Sequence, residues 1–342
     1  MSAGNAGNTE DTGTVGTVVS LGQVIVDLTM RVPRVPNAGE DVFADATDTC
    51  VGASFNTLHA VRRMGVPAAH GGIVGTGAWG SLVAAALADD GIDHIGATDP
   101  AHDTGFCVAL TDGDGERTFV SMRGAEAMGD AHAFDGVRPA AGDVVHLSGY
   151  TLVHHTADAL AAFLERTRER DFKAVFDPSP VIAQVDSEHF ARLLAYRPIW
   201  SCNEREAGLL AARLGLKPTD GGPADDAPLD AIFVARLAAA LGAPLIVRIG
   251  AAGAWVAPEP DATPVPVAGF PVRPVDTNGA GDCHAGVLCA ELARGATLVD
   301  ATSLANAAAS IAVTRRGPAT CPTRFEAQQL CGTVQPMKGV EQ

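Results

Sequence analysis

A mainly parallel β-sheet covered by helices on both faces is the fold this sequence predicts. Two observations carry the prediction. Short apolar runs alternate with longer amphipathic segments along most of the 342 residues. Such alternation demands crossover helices between parallel strands, which cover both faces of the sheet. Two stretches break the rhythm with strand-like spacing and predict a small second sheet.

Taken in order, Val18–Leu28 reads as a strand. Ser54–Met64 reads as a helix, stopped by Gly65 and Pro67. Ala68–Val74 is a second strand, and a helix over Ser81–Asp89 stops at Gly91. Val144–Leu147 is a strand, Ala157–Arg170 a helix, and Lys173–Phe176 and Ile199–Cys202 are strands. Glu204–Leu214 and Ile232–Leu241 are helices, Leu245–Ile249 a strand, and Cys283–Arg294 and Leu298–Arg315 two closing helices. Outside the rhythm, Thr29–Cys50 holds Pro33, Pro36 and Gly39 among scattered apolar residues. Phe106–Met122 alternates on either side of Asp112-Gly113-Asp114-Gly115, a strong hairpin turn. Both are expected in a small antiparallel sheet projecting from the main one. Lys217–Pro228 and Pro258–Pro266 read as exposed loops. The expected organisation is a tail over 1–16, one α/β domain over 17–325 and a C-terminal tail over 326–342. Residues 1–16 carry neither a cationic start nor an apolar block and read as disordered, not as a signal peptide.

Asp and Glu number 40 against 24 Lys and Arg, a formal net charge of −16. So acidic a chain has no sequence-independent attraction to nucleic acid or to an anionic membrane. No apolar stretch approaches the ~20 residues a membrane helix needs. The seven cysteines are odd in number, widely spaced and without a CxxC pair. They suggest neither a disulfide framework nor a zinc site, and fit inert thiols in a reducing cytosol.

The most informative stretch is Asp276-Thr277-Asn278-Gly279-Ala280-Gly281-Asp282, running into an apolar helix. Small residues let backbone approach an anion, and a helix starting there aims free N–H groups and its positive dipole end at the same point. Asp282 would repel a phosphate that was merely held. It makes sense where an acid accepts a proton from a hydroxyl while the N–H groups hold a transferring phosphoryl group. A glycine turn with Asp282 as a plain N-cap is the other reading of the same residues.

This stretch, with Gly286 after it, resembles the signature of the PfkB carbohydrate kinases, a family of ribokinase-like fold. The likeness runs from about Val18 to Thr323. Gly22, Asp27, Gly52 and Asn56 match the family's N-terminal pattern, Asn203 and Glu206 its Asn-x-x-Glu motif, and Gly250 and Gly253 its nucleotide loop. It is nearest to uncharacterised bacterial sugar kinases. The resemblance implies ATP-dependent phosphorylation of a hydroxyl on a sugar or sugar derivative. By position, Asp282 would be the general base, and Gly279, Ala280 and Gly281 with the Asp282 N–H the anion hole. Asn203 and Glu206 would organise Mg²⁺ through its waters. Gly250 and Gly253 would pass close to ATP, with Asn306 near the adenine. Asp27, Gly52 and Asn56 would bind substrate hydroxyls. Asp276 would hold a monovalent cation such as K⁺. The irregular segments about 29–50 and 106–122 would form a lid, and an uncovered lid edge would suit a homodimer. A nucleoside kinase and a non-catalytic sugar-binding protein are the alternatives; retention of Asp282 and the Gly279–Gly281 turn argues against the second.

Bottom-up, Asp27 follows Val24-Ile25-Val26 at an expected strand exit, where ligands of parallel sheets collect. Asn203 follows Ile199–Cys202 in the same way, and a capping box with Glu206 is its structural reading. The sequence departs from the family at Ala53, where a second Gly is usual, at Val287, and at His284, which replaces an aromatic residue. His284 reads either as a buried or capping histidine or as a contact to substrate or phosphate. Gly75-Thr76-Gly77-Ala78-Trp79-Gly80 spells a dinucleotide fingerprint, but it follows the second strand and no acid closes the next one. It reads as packing on the substrate side. Arg31, Arg117 and Arg123 are candidates for an anionic substrate group and Phe43, Trp79 and Phe119 for a base platform. A neutral sugar is the expectation.

Overall fold

The computed structural model describes residues 15–216 and 229–333. Residues 1–14 of the expected tail, the expected loop over 217–228 and residues 334–342 lie outside the described residues. Nine strands form the main sheet, in the order Val265–Ala268, Gly253–Ala257, Leu245–Arg248, Ile199–Asn203, Lys173–Asp177, Val144–Ser148, Val18–Ser20, Ala68–His70, Asp93–His94. From Leu245–Arg248 to Asp93–His94 every pair is parallel. The two strands at the other edge are added by antiparallel hairpins.

The sheet separates two apolar cores. One is built on helices Ser54–Arg63, Ala78–Asp89, Ala280–Ala293, Leu298–Ala312 and Arg324–Thr333, the other on Ala157–Arg166, Ser187–Tyr196, Glu204–Arg213 and Ala231–Leu241. Helix Ala280–Ala293 is buried on every side from Cys283 onward. That explains why its sequence is apolar all round, not striped.

The second sheet has four strands, ordered Ala46–Ala53, Val24–Arg31, Phe106–Thr111, Arg117–Met122. It is mixed, not purely antiparallel, because Val24–Arg31 runs parallel to Phe106–Thr111. The run read as one strand over Val18–Leu28 is two. The chain leaves the main sheet after Ser20, passes Gly22 and re-enters as the backbone of the small sheet at Val24. Asp27 therefore sits within a strand of the small sheet and not at an exit of the main one.

Further elements escape sequence reading, the two-residue edge strand Asp93–His94 among them. Helix Ser187–Tyr196 has a legible start, since Asp186 accepts hydrogen bonds from the Glu188 and His189 N–H groups. Strands Gly253–Ala257 and Val265–Ala268 are short and bounded by Gly and Pro, and Pro266 is tolerated because its strand is the sheet edge. Helix Arg324–Thr333 corrects the domain end: residues 326–333 are helix, not tail, and Ala327 is fully buried.

Candidate active site

Parallel strands bring their carboxyl ends to one edge, and here those ends carry chemistry. Asp177, Asn203 and Arg248 are the last residues of their strands, with Asn203 directly opposite Arg248 in register. The N-terminus of helix Ala280–Ala293 meets the same edge. Gly279 caps it at φ +72°, and a Cβ there would fall 2.2 Å from the Pro318 carbonyl oxygen. No side chain caps the helix; the Ala280 N–H donates to the Thr277 carbonyl at 3.3 Å, and the Gly281 and Asp282 N–H groups beside it are available to a ligand.

Asp282, in the first turn, is half-buried and accepts a 3.0 Å hydrogen bond on Oδ2 from Nδ2 of Asn56. Burial raises its pKa to about 7, with the Asn56 bond opposing and the nearby Asp177 and Asp27 charges adding to the rise. An acid with that pKa shares its proton with solvent near neutral pH, which suits a general base. Its plain N-cap reading does not hold, because no side chain caps this helix and the N-cap is Gly279.

Asp27 projects from the small sheet toward Gly52 on the neighbouring strand. A Cβ at position 52 would stand 2.0 Å from Asp27 Oδ2, so the carboxylate occupies the space that glycine leaves. Burial raises Asp27 to about 6. Ala53, where the family pattern has glycine, holds φ +55° and ψ −128°, a conformation that strains a residue with a Cβ. It is the N-cap of the helix that presents Asn56. Asp27, Gly52, Asn56 and Asp282 thus come together from the small sheet and two helices.

Beside them opens a cavity of about 490 Å³, lined by Asn203, Gly250, Gly253, Thr277, Ala280, Gly281, His284 and Asn306, among others. Asn306 is fixed by donating to the Val267 and Ala268 carbonyls. Asn203 and Glu206 form the reciprocal capping box: Glu206 N–H donates to Asn203 Oδ1 at 2.9 Å, and Asn203 N–H to Glu206 Oε2 at 2.8 Å. Glu206 is buried and stands behind the cavity wall. Burial, then Asp177, raises its pKa, while Arg248 opposes. His284 is buried and neutral, its pKa pushed to about 3 by burial and by Arg248. It lines the cavity without supplying positive charge to a phosphate.

Two side chains that sequence reading passed over join this edge. Arg248 lies 3.3 Å from Asp177 and 3.5 Å from Glu206. Asp177 was legible as a polar residue ending an apolar run, the signal that picked out Asn203, whereas Arg248 lay inside the run read as Leu245–Ile249 and gave no such signal. Arg117, read as one candidate for an anionic substrate, instead donates to Asp276 Oδ1 at 2.8 Å. Asp276 also accepts from the N–H groups of Asn278 and Gly317. The dinucleotide-like stretch has a local explanation. Asp103 accepts from the N–H groups of Trp79 and Gly80, capping helix Ala78–Asp89 from another loop. A Cβ at Gly77 would strike that carboxyl group at 2.2 Å. A protein carboxylate already fills the place a pyrophosphate would need.

Comparison with known proteins places this arrangement. The chain is 33% identical over 311 residues to "Uncharacterized sugar kinase YegV" of Escherichia coli (strain K12), covering 90% of this chain and 92% of that protein. It is 24% identical to the ribokinase of Bacillus subtilis (strain 168), covering 91% and 97%. Among solved structures, ribokinase from Giardia lamblia superposes with a TM-score of 0.77 at 20% identity, over 94% of this chain and 99% of that one. An E. coli putative ribokinase II in complex with ATP and Mg²⁺ superposes with a TM-score of 0.72 at 23% identity, over 93% and 100%. The sequence pattern described as "pfkB family carbohydrate kinase" matches residues 16–324, and the chain belongs to that family of sugar phosphotransferases.

Proposed function

We propose that Asp282 is the general base of an ATP-dependent kinase acting on a neutral sugar. The observation that carries this reading is Asp282 itself, raised to about 7 by burial in the first turn of a helix whose leading N–H groups no side chain caps. The sugar hydroxyl gives its proton to Asp282 as its oxygen bonds to the γ-phosphorus, and the bridging oxygen leaves with ADP. The N–H groups of Gly279, Ala280, Gly281 and Asp282 hold the phosphoryl oxygens. Asp27 and Asn56 hydrogen-bond the sugar's other hydroxyls and so orient the reacting one, with Gly52 leaving room for Asp27.

The cavity beside the helix fits a nucleotide: Gly250 and Gly253 form its wall and Asn306 stands within it. A bound Mg²⁺ supplies charge neutralisation among phosphate oxygens. Asn203, with Asp177 and Glu206 close by, suits an ion that keeps most of its waters and takes few protein ligands. The monovalent cation expected at Asp276 competes in this reading with Arg117, which already supplies the positive charge there. The small sheet acts as a lid that excludes water. Its outer strand exposes Phe119, Val120 and Met122 at 59%, 65% and 61%, an apolar edge that suits a second copy of the chain. All seven cysteines are unpaired thiols, which supports a reducing cytosol as the compartment.

The test is an ADP-release screen over neutral sugars, sugar acids, phosphosugars and nucleosides with Mg²⁺-ATP. Neutral sugars are expected to give the highest turnover; a nucleoside preference would replace the sugar assignment. With the best acceptor, Asp282→Asn is expected to lower kcat by at least ~10² while ATP affinity is retained. Near-normal turnover would remove Asp282 from the mechanism.

A further inference from the structure

Arg248 ends strand Leu245–Arg248 with a guanidinium only 13% exposed. Its Nη1 lies 3.1 Å from Ser201 Oγ and 3.4 Å from Asp177 Oδ2, and its Nη2 3.3 Å from Asp177 Oδ2 and 3.5 Å from Glu206 Oε2. Every carboxylate contact is longer than the ~2.7–2.9 Å of a well-made charge-assisted bond. The two acids hold the guanidinium from behind without saturating its five N–H donors.

The three groups are not equivalent from the cavity side. Arg248 lines the cavity; Asp177 and Glu206 do not. The guanidinium also adjoins the anion-hole loop, since a Cβ at Gly281 would lie 3.8 Å from Nη2. Two buried carboxylates at the end of a phosphate site would repel a triphosphate. A guanidinium that covers both turns the surface met by the ligand from negative to positive. Its planar fork matches two oxygens of a phosphate.

We propose that Arg248 binds the terminal phosphate of the nucleoside triphosphate and carries the charge that develops on the phosphoryl group in flight. Asp177 and Glu206 act through it as positioning residues, fixing the plane of the guanidinium beside Gly281. This rests on the reading of the cavity as the nucleotide site.

The test measures binding of ATP, ADP and adenosine to the whole protein by calorimetry, with Mg²⁺ and without sugar. Arg248→Lys keeps the charge and loses the fork. Arg248→Met with Asp177→Asn removes the cation together with one buried acid, so that folding is retained. Loss of a charge-assisted contact predicts ATP binding weaker by roughly tenfold to a hundredfold in the double variant. ADP should weaken less, adenosine should stay within about twofold, and Arg248→Lys should fall between. Parallel weakening of all three ligands, or an unchanged ratio of ATP to adenosine affinity, would overturn the role of Arg248 and leave the kinase reading standing. A wild-type protein that binds none of the three would overturn the nucleotide cavity itself and Arg248 with it.

Discussion

Asp282 and Asp27 are acids whose burial works against their ionised forms, and both effects are measurable as pH dependence. With Asp282 raised to about 7, kcat/KM for the sugar should climb from pH 5 to pH 8 with an apparent pKa near 7, because only the ionised acid accepts a proton. A flat profile across that range would exclude a base so perturbed. Stability runs the other way. Both acids bind protons more tightly folded than unfolded, where an aspartate titrates at its ordinary value of 3.8. Their contribution is fully present below that value and is lost as pH rises through about 6 and 7. Asp282→Asn keeps an acceptor for Asn56 and removes the charge, so its thermal midpoint should exceed that of the wild type at pH 8, and the gap should close toward pH 5. A variant less stable at pH 8 would contradict the shift. At Ala53 two terms compete. Relieving the φ +55° strain favours glycine by ~1–3 kcal/mol, and the freer unfolded chain disfavours it by ~0.4–1 kcal/mol. Ala53→Gly is therefore expected to stabilise by about 1 kcal/mol, read from the urea midpoint at constant m. No gain would mean that Ala53 is relaxed where it stands.

The small sheet is the element proposed as a lid. It draws strands from three parts of the chain and joins the signature loop through the Arg117–Asp276 pair. If it is a lid, sugar binding should slow hydrogen exchange in Val24–Arg31, Ala46–Ala53, Phe106–Thr111 and Arg117–Met122 together. Slowing confined to helix Ala280–Ala293 would leave the sheet a static wall. The ion pair yields its own prediction. With Arg117 present, kcat should be equal in K⁺ and in a large organic cation at the same ionic strength. Arg117→Ala should lower kcat and make it K⁺-activated, since Asp276 would then lack a counter-charge beside a transferring phosphate. A wild-type enzyme strongly activated by K⁺ would show that the cation displaces Arg117. The elements themselves were unevenly legible. Long periodic helices such as Ser54–Arg63 and Glu204–Arg213 fall within a residue of their expected ends. The strand of the small sheet that carries Asp27 did not, because an apolar run looks the same in either sheet.

At the scale of the whole molecule, the composition and the alternation of runs determined the class. An acidic chain of alternating strands and helices must fold as a layered α/β domain, since crossover connections are what parallel strands need. The glycine-rich stretch ending at Asp282 pointed to the proposed reaction site, because small residues before an apolar helix have few other uses, and the family likeness supplied the order of its motifs. What sequence could not carry are relations between residues far apart in the chain. Asn56 meets Asp282 across 226 positions, Arg117 meets Asp276 across 159, and Arg248 meets Asp177 across 71. Charge, burial and hydrogen bonding at those meetings decide which acid is protonated and which cation faces the cavity. They depend on distances of a few ångströms that only the packed sheet and helices set, so the chemistry's location was written locally and its electrostatics were decided by the tertiary fold.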